Sequence, residues 1–115
     1  MYCSNLAWRY RRKTVTKTID VVIVRIYITE SSHLLNTIVN YLKTEAKIRG
    51  ISVFRAISGF GESGNHTSSL LDLSLDLPLS IEFFDSKDKI QPALEHLSGI
   101  IKHEHIIFWD AKANA

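Results

Sequence analysis

The sequence predicts an α+β domain with a ferredoxin-like β-α-β-β-α-β order, an antiparallel sheet carrying both helices on one face. Three observations lead there. A β-branched run, Ile19-Asp-Val-Val-Ile-Val-Arg-Ile-Tyr-Ile-Thr29, reads as a buried strand. Two amphipathic stretches follow at helical spacing, one after each of two strand-like runs. Between them lies a glycine-rich bend that no helix continues.

The first strand is placed at residues 19–29, with Arg25 breaking its apolar run. Glu30-Ser31-Ser32 supplies N-cap chemistry. Leu34, Leu35, Ile38, Val39, Leu42 and Ala46 then recur at helical spacing, which predicts a helix over about 32–48, ended by Gly50. Residues 51–58 form the second strand and 79–85 the third. Asp88 and Gln91 resemble a capping box, and Ile90, Ala93, Leu94 and Leu97 mark a second helix in which Pro92 must fall close to the start. Gly99 is the expected residue just past its end, and His105–Trp109 the fourth strand, followed by a polar end over 110–115. Phe54, Phe83 or Phe84, Phe108 and Trp109 are candidates for the sheet face the helices leave uncovered, and an apolar face of that size is normally buried in an oligomer.

At 115 residues the chain supports one domain, with a hydrophobic fraction of 45% and a charged fraction of 23%. Residues 1–18 form a basic N-terminal tail: Arg9, Arg11, Arg12, Lys13 and Lys17 with no acid, +5. The rest carries 9 basic and 12 acidic residues, −3, so the domain at 19–110 is mildly acidic and no nucleic acid is expected on it. A C-terminal end occupies 111–115. One cysteine, Cys3, excludes an internal disulfide, and no run is apolar enough for a membrane span or a secretory signal, so the expected location is cytoplasmic.

The chemistry concentrates between Arg55 and Asp85. Gly59, Gly61 and Gly64 make a literal G-x-G-x-x-G, but Leu71, Leu73, Leu75 and Leu77 alternate with polar residues after it, a period of two. Pro78 bars a helix, so neither a dinucleotide fingerprint nor a P-loop is present. The glycines either serve a bend needing positive φ or let backbone N–H groups approach an anion. Arg55 either clamps phosphate or carboxylate, or pairs with Glu82 or Asp85 across the hairpin. His66 is either a ligand contact or a solvated loop histidine. His103-x-His105 puts two imidazoles on one side of an extended segment, the start of a metal site lacking a third ligand, since His33 and His96 fall on helices without convergence. No nucleophile–base arrangement is legible, and no enzyme activity and no cofactor are expected.

The text Arg55-x-Ile57-x-Gly59-Phe60-Gly61, His66-Thr67, Leu73-Ser74-x-Asp76-Leu77-Pro78, Ile81-Glu82 and Asp85 resembles the PII-like proteins of unknown function, a branch of the PII signalling superfamily. Ile26-Tyr27-Ile28-x-Glu30 and Gly99-Ile100-Ile101 match more weakly, and Ala56 stands where that family usually has glycine. The resemblance implies a ferredoxin-like homotrimer whose intersubunit clefts bind a small anionic effector, often an adenine nucleotide. It also implies a long loop between the second and third strands that meets a partner, commonly a membrane transporter or channel. The ligand-binding residues expected on this basis are Arg55, Gly59, Phe60, Gly61, His66 and Lys102. A metal-binding protein or enzyme on the same fold, using the histidines, is the alternative.

Overall fold

A computed structural model describes residues 17–59 and 77–115. The elements run β1 (Thr18–Thr29), α1 (Leu35–Thr44), β2 (Ile51–Arg55), β3 (Pro78–Asp85), α2 (Lys87–Ser98) and β4 (Ile106–Asn114), with short 3-10 turns at Glu30–Ser32 and His103–His105. The four strands form one sheet of order β2-β3-β1-β4, every neighbouring pair antiparallel. This is the predicted α+β, ferredoxin-like arrangement, in which β3 lies between β1 and β2.

Register explains which residues make the core. Val24 faces Phe83, Ile26 faces Ile81 and Ile28 faces Leu79. All six are buried and share the helix-covered side of the sheet. Ile38 and Leu42 of α1 and Ile90, Ala93 and Leu97 of α2 close over them without residual exposure. Burying each large aliphatic side chain contributes about 1.5–3 kcal/mol against the entropy of ordering the chain.

The element ends depart from the sequence expectations for local reasons. α1 is shorter than the predicted 32–48. Glu30-Ser31-Ser32 closes a 3-10 turn instead of capping the helix, with the His33 N–H donating to the Glu30 carbonyl at 3.3 Å. At the other end the left-handed residue is Lys47 (φ 54), not Gly50, and Ile48 turns back into the core with its N–H on the Leu42 carbonyl. Ser86, in extended conformation, is the N-cap of α2 and makes no side-chain cap, so the Asp88–Gln91 box is not formed. Pro92 sits inside α2, which costs the N–H that would have reached the preceding turn. Gly99 caps the helix in right-handed conformation (φ −82), so its lack of a side chain is not required there.

β4 begins at Ile106 and continues to Asn114, through most of the polar end expected at 110–115. Its polar half is held by pairing with Thr18–Val22, and Lys112 donates to Asp20 at 2.5 Å. That exposed pair lowers the Asp20 pKa and raises that of Lys112, the shared hydrogen bond being the larger cause.

Candidate functional site

The uncovered sheet face comes from the alternate residues of the same strands. Ile19, Tyr27, Phe54, Phe84, Ile107 and Trp109 all stay exposed on it. Of the aromatics expected there, Phe83 is instead core at 2% exposure. Phe108 is 58% exposed but has the parity of Val24, so it lies on the helix side at the β4 edge.

Arg25 sits in the middle of this apolar face, directly opposite Glu82. Its Nε and Nη2 donate to Glu82 Oε2 at 3.0 and 2.6 Å, and its guanidinium lies 5.4 Å from the centre of the Trp109 ring. The Tyr27 hydroxyl and then Glu82 hold the Arg25 pKa above its ordinary value. The charge that breaks the β1 run is therefore neutralised within the face itself.

The end of the sheet where β1 and β2 finish carries the predicted ligand-binding residues that fall within the described part. Arg55 is the last residue of β2, opposite Leu79. The Ala56 N–H donates to the Pro78 carbonyl at 3.0 Å, which extends the β2–β3 pairing by one bond. Gly59 follows, and a Cβ placed there would meet Pro78 Cγ at 3.5 Å, ordinary contact with no left-handed backbone. The positive-φ reading is thus not required at Gly59. Phe60, Gly61, Gly64 and His66 lie outside the described residues.

Arg55 does not pair with Glu82 or Asp85. Glu82 is on the other face, taken by Arg25, and Asp85 is at the far end of β3. Arg55 Nη1 instead donates to Glu30 Oε1, across the end of β3. This partner follows from the topology: β1 and β2 point the same way on either side of β3, so their last residues share one end. Glu30, His33, Leu35, Asn36, Val53, Arg55 and Leu79 line a groove of about 390 Å³ there.

Lys102 is exposed and precedes the 3-10 turn that leads into β4, with its carbonyl accepting the His105 N–H at 3.0 Å. β4 starts opposite Ile26, so Lys102 is near the same end of the sheet as Arg55, but on the other edge. Three strand spacings, roughly 14 Å, separate the two edges.

The backbone at His103–His105 is a 3-10 turn and not the extended segment expected there. His33 is the left-handed residue closing the first 3-10 turn rather than a helix residue. His96 stacks on Tyr41 between the helices, ring centroids 3.9 Å apart and 9° from parallel. Among the described residues no cluster of three or more His, Cys, Asp or Glu could hold a metal ion.

Asp85, expected from the sequence as part of a motif or as a partner of Arg55, is a buried carboxylate with other partners. It is 4% exposed and accepts the Ser86 N–H at 2.7 Å and the Arg49 N–H at 3.3 Å, tying the α1–β2 connection to the start of α2. Arg49 and Lys89 stand 3.8 and 4.0 Å away. Its role is structural: it satisfies backbone donors where two connections meet.

Comparison with known proteins places this geometry. The family model DUF190, described as Uncharacterized ACR, matches residues 21–113. A UPF0166 protein of Methanocaldococcus jannaschii is 31% identical over 94 residues, covering 77% of this chain and 86% of its own length. A UPF0166 protein of Aquifex aeolicus is 38% identical over 71 residues, 58% of this chain and 66% of its own. Among solved structures, CPII of Thiomonas intermedia, bound to ADP and bicarbonate, superposes with a TM-score of 0.68 at 18% identity, over 86% of this chain and 93% of that one. A putative PII-like signalling protein of Thermus thermophilus gives 0.54 at 17% identity, over 85% and 91%. The fold is PII-like.

Proposed function

This chain belongs to the DUF190 family, and on that footing we propose that it is a PII-like regulatory protein rather than an enzyme. It binds a small anionic effector, an adenine nucleotide, in clefts between copies of itself. The observation that carries the reading is the placement of Arg55 and Lys102 at one end of the sheet on opposite edges. On one protomer the two stand on opposite edges, and setting the β2 edge of one copy beside the β4 edge of the next brings them to one cleft. The exposed apolar face supplies the drive for such an assembly, and a homotrimer is the arrangement proposed.

That CPII was solved with ADP supports the choice of nucleotide. Arg55, Gly59, Phe60, Gly61 and His66 from one copy, with Lys102 from its neighbour, are the residues assigned to the effector. The segment between β2 and β3 then meets a partner, a membrane transporter or channel, in the cytoplasm. A ligand shifts this equilibrium only by its differential affinity for two states.

Isothermal titration of the full chain with ADP, AMP and ATP, alongside light scattering on a sizing column, tests the proposal. Saturable nucleotide binding by a trimer is expected. A monomer, or an assembled protein that binds none of the three, contradicts it.

A further inference from the structure

Two arginine–glutamate pairs among the described residues are built differently, and the difference concerns the proposed effector site. Arg25 uses two nitrogens on Glu82 and packs beside Trp109. Arg55 meets Glu30 through one terminal nitrogen. Its side chain is 55% exposed, that of Glu30 28%. A guanidinium carries five N–H donors, and this contact with a described residue uses one of them.

Among the described residues that line the groove around this pair, the permanently charged ones are Arg55 and Glu30. An approaching anion that seeks the Arg55 guanidinium therefore meets the Glu30 carboxylate already on it, and the two negative groups repel. Glu30 leaves easily. Solvent-exposed pairs of this kind contribute little net stability, whereas a phosphate can engage the guanidinium at two nitrogens. The Glu30 backbone is meanwhile anchored by the His33 N–H on its carbonyl, so the side chain can swing without moving the turn.

We infer that Glu30 is an internal competitor for the effector: its carboxylate occupies Arg55 in the free protein and must be displaced by the incoming phosphate. Glu30 thereby sets the effector concentration at which the site fills. The inference rests on the proposed function, because it takes Arg55 as an effector contact.

Titration of ADP into the full-length protein and its variants tests it. Glu30→Gln, which keeps the shape and removes the charge, tightens ADP binding by up to about fivefold. Glu30→Asp, shorter by one methylene, tightens it by less. Arg55→Ala weakens ADP binding at least tenfold (an estimate on the order of one lost charged hydrogen bond), with or without Glu30→Gln. Thermal melting of each variant confirms that it is folded.

Unchanged or weaker binding by Glu30→Gln, with the native protein binding ADP, overturns the competitor role and leaves the effector site standing. Glu30 would then be a strut or a direct ligand contact. Arg55→Ala binding ADP as the native protein does overturns the inference too. If neither the native protein nor Glu30→Gln takes up ADP, the effector site itself falls and the competitor with it.

Discussion

The two faces of one sheet, built from alternate residues of the same strands, use different chemistry. The buried part of the covered face is aliphatic except for Phe83 and the peripheral Asp85 and seals to near-zero exposure under α1 and α2, while Val53, Arg55 and Phe108 stay exposed toward its edges. The open face is richer in aromatics, holds an arginine–glutamate pair at its middle, and keeps its large side chains about half exposed. The first holds one chain together and needs only volume and shape. The second is left open by the helices, and in the proposed assembly it must recognise what covers it.

Truncation on the covered face breaks this comparison most heavily. Ile26 and Ile81 face each other with no exposed surface, so Ile81→Ala leaves a cavity that neighbouring side chains fill only in part. The expected loss is ~2–5 kcal/mol in urea unfolding. A loss below ~1 kcal/mol would mean the two faces are not energetically distinct. On the open face, Phe84→Ser removes an exposed ring from the central strand β3. Far-UV circular dichroism should be unchanged while light scattering shows a smaller species. A folded variant of unchanged mass would show that this face does not build the assembly.

The smallest effect sharpens the comparison from the helix layer. Burial, with Glu45 adding to it, raises the Tyr41 phenol above its ordinary pKa of 10.0. The neutral phenol is favoured in the folded state, so this contribution is intact below the unfolded value and falls away as pH rises from there through the folded one. Melting temperature measured from pH 9 upward should therefore decline slightly less steeply in Tyr41→Phe than in the native protein. Identical slopes would count against a partly buried phenol beside His96.

Much of this could be read from the chain because local pattern and final environment agree. The β1 run is β-branched and ends up central, and Ile90, Ala93 and Leu97 repeat at helical spacing and are buried. What could not be read depends on partners distant in sequence. The second half of β4 is polar and is a strand only because Thr18–Val22 pairs with it. The αL position after α1 falls on Lys47 although Gly50 is three residues away, because Ile48 must reach the core.

Within the candidate site, Arg55 and the glycines were legible as residue types, but the partner of Arg55 was not. Glu82 and Asp85 lie across the hairpin from Arg55 in the chain order, and alternation and strand length remove both. Glu30 becomes visible only when the strand order is used: opposite charges at the ends of two strands pointing the same way, one strand apart.

The Arg25–Glu82 pair has a consequence for the company this protein keeps. A surface of aromatic and aliphatic groups alone would stick to many greasy partners, whereas a fixed polar pair at its centre rejects any that cannot lie over it without stripping its remaining hydration. In the proposed assembly, copies carrying the same pair in the same place meet that demand together, so a foreign subunit of similar shape but without it would be sorted out at the moment of docking.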